Sequence, residues 1–243
     1  MLSWFWRRIP RSIRINLFTA LIVIDSRGDH VKGLKQLLKI KDKLDLVINE
    51  RATAYGKGIH PKHRLTNYHQ FFIDRIKEGE RVLDVGCGCG AVAQSIAKAL
   101  PSCVVTGIDH DQGRLSQAKS GNLPRNLIFL EGDATKDLPS QSWDVVVLSN
   151  VLEHISNRIG FLKDLKSSLN ARSYLIRLPL FERDWQMSLR SDLGVDYRSD
   201  PDHKIEHKLE EFHQEIKAAG LKAVELKTLW GEIWADCRPI ANK

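Results

Sequence analysis

Val82-Leu83-Asp84-Val85-Gly86-Cys87-Gly88-Cys89-Gly90 is a short β-branched run that passes directly into a glycine-rich turn, and Ala91 to Leu100 then reads as a helix closed by Pro101. Glycines at such a turn let the main chain approach a ligand, and the helix start beyond it adds oriented N–H groups. The remainder of the chain continues the alternation. Strands are predicted at Arg81 to Val85, Val104 to Asp109, Asn126 to Glu131, Trp143 to Ser149 and Tyr174 to Leu178, with helical spacing between them, as at Ile159 to Leu169. Such βαβ alternation implies a parallel sheet covered on both faces.

A last helix, Leu209 to Ala219, stops at Gly220, and Leu221 to Leu229 and Ile233 to Arg238 flank a turn at Trp230 to Glu232, which predicts an antiparallel hairpin. Upstream, Val31, Leu34, Leu37, Leu38, Leu44 and Val47 recur among lysines, the pattern of an amphipathic helix. The segment 179–207 is charged and aromatic and interrupts the alternation, as an acceptor-site insertion or lid would.

Gly86, Gly88 and Ala91 also satisfy the loose G-x-G-x-x-G/A dinucleotide pattern, so the neighbouring strand ends must decide the cofactor. Asp84 precedes the first glycine, where a carboxylate would repel a pyrophosphate. Gly107-Ile108-Asp109-His110 ends the second strand, Glu131-Gly132-Asp133-Ala134 the third, and Trp143 to Ser149 leads into Asn150-Val151-Leu152-Glu153-His154. In this order the motifs resemble the class I methyltransferases that use S-adenosylmethionine (SAM), in particular the small-molecule branch with the ubiquinone and menaquinone methyltransferases. The resemblance implies a three-layer, doubly wound, Rossmann-like α/β sheet with an antiparallel C-terminal hairpin and a helical N-terminal cap. It implies SAM as cofactor, held by Asp84, Gly86, Gly88, Gly90, Asp109, His110, Asp133, Ala134 and Asn150. Asp84 would face the cationic methionine portion, Asp109 the ribose hydroxyls and Asp133 the adenine amine. Capping of its own turn is the alternative for Asp84 and for Asp133.

Methyl transfer to a hydroxyl requires alignment and removal of a proton, and histidine titrates in the useful range. His154, at the end of the fourth strand, is the first candidate; capping of the next helix is its structural alternative. His203-Lys204-Ile205-Glu206-His207 matches the zinc signature H-x-x-E-H, but Pro201 and a helix beginning only near Leu209 argue against the helix that signature requires. No metal ligands are therefore assigned, and His203 and His207 are taken as candidates to orient or deprotonate the acceptor. In the cluster His60 to His69, Arg64 or Tyr68 could clamp the methionine end of the cofactor or an anionic acceptor; a solvated helix start is the alternative. The N/D-P-P-Y/F motif of amino methyltransferases is absent from the sequence.

The 243 residues, 42% hydrophobic and 28% charged, suffice for one substantial core plus an extension. Residues 1–62 carry 13 Lys/Arg against 5 Asp/Glu, so the net +7 lies in the N-terminal arm and not around the glycine turn. That placement disfavours a nucleic-acid substrate. Cys87, Cys89, Cys103 and Cys237 make no zinc set and fit a reducing, cytoplasmic setting. The apolar run Ile15 to Ile24 is shorter than the roughly 20 residues of a membrane span, and Arg7-Arg8 lacks the context of a twin-arginine signal. Trp4, Phe5 and Trp6 with Arg7, Arg8, Arg11 and Arg14 could hold the arm at an anionic membrane surface; the alternative is that Leu17 to Ile24 and the Val31 to Val47 helix pack on the catalytic domain as a cap and the arginines stay solvated. The expected organisation is a basic helical extension or cap over 1–59 and a catalytic domain over 60–243. The expected activity is O-methylation of a small or lipid-linked acceptor. A nucleic-acid methyltransferase and a non-catalytic SAM- or nucleotide-binding regulator are the rivals.

Overall fold

Strand β1 (Arg81–Val85) shows how the sequence builds the core: Leu83 and Val85 point to one face of the sheet and Val82 to the other, all of them buried. In the computed structural model, which describes residues 2–139 and 141–241 and not the side chains at 2, 3 and 5, the chain divides into two compact units. One is Met1–Pro61 with Arg190–Val195; the other is Lys62–Leu189 with Asp196–Lys243.

The first unit contains α1 (Leu2–Arg8), α2 (Arg11–Asp25) and α3 (His30–Tyr55). Asp29 caps α3 by accepting from the Lys32 amide at 2.9 Å. The helix runs past Val47, where the apolar period fades, because no breaker stands before Gly56. Arg190 pairs with Asp42 of α3 at 2.5 Å. None of the α2 residues is buried; Ile13, Ile15, Leu17, Phe18, Leu21, Val23 and Ile24 are all exposed. Among the described residues no helix is long and apolar enough to cross a membrane.

The second unit opens with α4 (Lys62–Thr66) and α5 (Tyr68–Ile73), followed by β1. Then come α6 (Ala91–Ala99), β2 (Val104–Asp109), α7 (Gln112–Lys119), β3 (Leu127–Glu131), β4 (Val145–Ser149), α8 (Arg158–Leu169) and β5 (Ser173–Pro179). After α9 (Trp185–Asp192), whose C-terminal residues belong to the first unit, α10 (Leu209–Ala218) leads into β6 (Leu221–Leu229) and β7 (Glu232–Pro239). The seven strands lie in the order β3-β2-β1-β4-β5-β7-β6. The first five are parallel; β7 enters antiparallel beside β5 and carries β6 on its outer edge, as the hairpin reading expected.

On one face Phe161, Leu162 and Leu165 of α8 and Phe212 and Ile216 of α10 pack on Leu83, Val146 and Ile176. On the other, Phe72 of α5, Val92 and Ile96 of α6 and Leu115 of α7 cover Val82, Val145 and Leu175. The parallel strand ends therefore open on one edge, where the sheet order reverses between β1 and β4.

Candidate active site

The turn after β1 is held open by left-handed backbone at Gly86 (φ 66°), Gly88 (φ 55°) and Gly90 (φ 76°), which side-chain-bearing residues rarely adopt. A Cβ at Gly90 would also lie 2.4 Å from Phe129 of β3. Asp109, at the end of β2 and 5% exposed, fixes the turn by accepting from the Gly88 amide at 2.7 Å and from the Asp111 amide at 2.9 Å. His110 beside it is exposed.

Asp84 is buried and its Oδ2 has no partner among the described residues. Burial pushes its pKa up to about 7; an Ala93 main-chain hydrogen bond opposes the rise and the Asp109 charge adds to it. An orphaned acid of this kind suits a cationic ligand.

Asp133 is turned into its own loop. Its Oδ1 accepts from the Thr135 amide and hydroxyl at 3.0 and 2.6 Å, and its Oδ2 pairs with Lys136 at 2.8 Å. The Lys136 and Thr135 hydrogen bonds hold the carboxyl well below the usual range. Turn capping thus describes this carboxylate as it stands.

After β4, Asn150 adopts φ 58° and donates its amide to the Arg177 carbonyl at 2.7 Å, while its Oδ1 accepts from the Arg177 guanidinium at 3.2 Å. A 3₁₀ turn over Leu152–His154 follows. One cavity of about 450 Å³ collects Gly86, Asp109, His110, Asp133, Ala134, Asn150 and His154 in its lining. Asp84, Gly88 and Gly90 are outside that lining. A hollow of about 950 Å³ adjoins it across Ala134, His154 and Ile155 but is walled by the β3–β4 loop and α8 and contains none of the glycine-turn residues.

His154 is exposed at the rim, its ring 4.6 Å from that of His203 in an edge-on contact. Burial, then the His203 charge, lowers its pKa. His203 is buried, with Nδ1 2.9 Å from Glu206 Oε1; burial lowers its pKa, but the Glu206 hydrogen bond and neighbouring acids outweigh it and leave the value raised. Glu206 is fixed in turn by Arg183 and by the Ser199 amide and hydroxyl.

His207 departs from the sequence expectation. It is fully buried, lines neither cavity, and directs Nε2 to Glu215 at 2.9 Å, beside the Glu215–Arg158 pair. Residues 203–207 are not helical, so the two histidines of H-x-x-E-H diverge and the motif is no joint ligand set. In the α4–α5 segment, Arg64 is exposed, while Tyr68 is buried under the Arg177 guanidinium, 3.8 Å from its ring, with its hydroxyl 2.7 Å from His63 Nδ1.

Several site residues escaped the sequence reading. Asp202 and Lys204 line the cavity, Arg177 braces Asn150, and Glu153, which a helix entry would leave in solvent, is fully buried. The Lys204 amide donates to the Glu153 carbonyl at 2.7 Å, tying the 200s loop to the β4 turn. The adjacency of Glu153 to His154 was the one available signal.

A family profile described as a methyltransferase domain matches residues 83–175. The ribosomal protein L11 methyltransferase of Thermotoga neapolitana is 35% identical over 69% of this chain and 60% of its own length. The ubiquinone biosynthesis O-methyltransferase of Haemophilus ducreyi is 27% identical over 66% of each. A probable (S)-tetrahydroprotoberberine N-methyltransferase of Papaver bracteatum is 30% identical over 50% of this chain and 39% of its own. The chain spans less than two thirds of the length of each of these relatives. Among solved structures, a SAM-dependent methyltransferase of Aquifex aeolicus superposes with a TM-score of 0.58 at 18% identity, covering 74% of this chain and 93% of that one.

Proposed function

Because the chain belongs to the class I SAM-dependent methyltransferases, we propose that it moves the methyl group of SAM to an oxygen of a small or lipid-linked acceptor. The observation that carries this reading is the shared cavity: the β1, β2 and β3 ends that would bind the cofactor open into the same space as Asn150 and His154. SAM supplies the activated methyl carbon. The chain's part is to bind, align and dry the reactants and to take up the acceptor proton.

Asp109 would accept from the ribose hydroxyls with the lone pairs left by Gly88 and Asp111. Asp84 would meet the cationic methionine portion, and Asp133 would serve the adenine amine only by exchanging its Thr135 or Lys136 contacts. His154, in the cavity lining, and His203, whose ring stands 4.6 Å from it, would handle the acceptor proton, and the 179–207 segment, which contributes Asp202 and Lys204 to the lining, would shape the acceptor side. Acceptor oxygen is favoured by relatives named as O-methyltransferases, although N- and protein methyltransferases stand beside them. A lipid-linked acceptor draws on the first unit, whose exposed apolar α2 follows Arg7 and Arg8 and begins with Arg11 and Arg14.

Calorimetry with SAM and its demethylated product, followed by acceptor screening with methyl-labelled SAM, tests the proposal. Label transferred to hydroxyl or phenol acceptors is the expected result. Transfer to nucleic acid would replace the acceptor class, and binding with no turnover on any class would favour a regulatory protein.

A further inference from the structure

Glu153 buries a carboxylate completely and leaves both oxygens without a partner among the described residues. Such a group is costly unless something cationic meets it. Two imidazoles stand beside it: one ligand atom each from Glu153, His154 and His203 lie within 4.8 Å of one another. We propose that Glu153, His154 and His203 bind a divalent first-row metal ion, of the Zn²⁺ or Mn²⁺ class, at the end of β4.

The donor set supports that class. Two neutral imidazoles and one carboxylate suit zinc, manganese and iron better than magnesium, which favours all-oxygen coordination. Three protein ligands leave open positions, and the edge that His154 shares with the cavity is where they would face an acceptor. His203 is prepared for the role: Glu206 holds Nδ1 at 2.9 Å, leaving Nε2 for the ion, in the carboxylate–histidine arrangement that orients metal-bound imidazoles. His154 is exposed, and rotation of its side chain can bring the set to the ligand distances of about 2.0–2.2 Å that zinc requires. Around them Asp200, Asp202 and Glu206 add negative charge, while Arg177 is neutralised by Glu232 at 2.7 Å.

Binding of the ion stands independently of the acceptor. Its use rests on the O-methylation proposed above: a metal-bound hydroxyl ionises far more readily than a free one and would release its proton to water near neutral pH, which replaces proton uptake by His154 and His203 when these are ligands.

The full chain, stripped with chelator and dialysed, is titrated with Zn²⁺ and with Mn²⁺ by calorimetry and assayed for bound metal by elemental analysis. Saturable binding of one ion per chain is expected. Glu153→Gln and His203→Gln should each weaken it at least tenfold, as should the surface variant His154→Ala, which does not disturb the core. Glu206→Gln should weaken it by about 10- to 100-fold without removing a ligand. His213→Gln, at an exposed histidine outside the cluster, should bind as the parent does. Absence of saturable binding up to millimolar metal, or binding unchanged by His154→Ala and Glu153→Gln, overturns the site and would leave the cluster an acid–base relay. SAM affinity measured on the same samples separates the two readings: SAM binding without metal binding defeats this site alone, and loss of both defeats the cofactor reading.

Discussion

Asp84 keeps an unpaired oxygen in the interior, and a cation placed against it should draw out its proton. Burial pushes its pKa up to about 7 from the ordinary 3.8, so bound cationic SAM, which favours the ionised form, should bind most tightly above about pH 7. Affinity should fall below that, by up to about tenfold per pH unit, and Asp84→Asn should flatten the profile. Calorimetry in buffers of different ionisation enthalpy reads the released proton; equal heats would place the methionine portion elsewhere. Asp109→Ala removes a charged acceptor and should cost SAM binding about 1.5–3 kcal/mol. Unchanged affinity in a folded variant would reject the ribose assignment. Glu215 belongs to stability: burial raises its pKa, but His207 and Arg158 outweigh that and hold it at about 2, below the ordinary 4.5. The resulting stabilisation is complete above about pH 4.5 and disappears as pH falls toward about 2. His207→Ala should therefore move acid unfolding to higher pH while leaving SAM affinity near normal. Unaltered acid unfolding with turnover abolished would return His207 to the chemistry.

At the level of elements, the glycine turn, β3 and α7 form one packed unit. Gly90 is left-handed as well as crowded, so Gly90→Ala combines backbone strain with overlap against Phe129 and Ala118. A loss of about 1–3 kcal/mol in denaturant unfolding is expected, together with weaker SAM binding. Gly88, with a positive φ but open space around its missing Cβ, should lose less on the same substitution. Equal losses at the two positions would show that backbone strain, not the Phe129 contact, dominates. The β4–Asn150–Glu153 turn is built differently. Arg177 on the neighbouring strand and Lys204 in the distant loop fix its main chain, so its geometry depends on contacts remote in sequence.

For the molecule as a whole, net positive charge and exposed apolar side chains concentrate in the first unit. Each arginine near an anionic membrane contributes on the order of 1 kcal/mol, and the α2 surface is apolar and exposed. Trp4 is exposed with Arg8 stacked on its ring at 3.5 Å, while the Phe5 side chain lies outside the described residues. The intact chain should co-sediment with anionic liposomes at low salt, less so at moderate salt, and a variant lacking residues 1–14 should not. If neither form sediments and the shortened one is less stable, the arm is a packing element and the lipid-linked acceptor loses its main support.

The sequence by itself determined the sheet, its strand order in chain and the glycine turn, because side-chain periodicity and turn chemistry are set by neighbours a few residues apart. It located Asp84, Asp109 and Asn150 at strand ends for the same reason. Helix α3 outlasted its apolar pattern because helical propensity continued to Gly56. Only the tertiary structure decided which partner each side chain met: His203 turned to Glu206 and His154, His207 to Glu215, Asp133 to its own loop, and Glu153 into the interior. The His154–His203 contact and the setting of Glu153 depend on how the loop before α10 folds back on the β4 turn, a long-range packing that no local period encodes, whereas the Asp133 contacts are the local turn capping that the sequence already allowed.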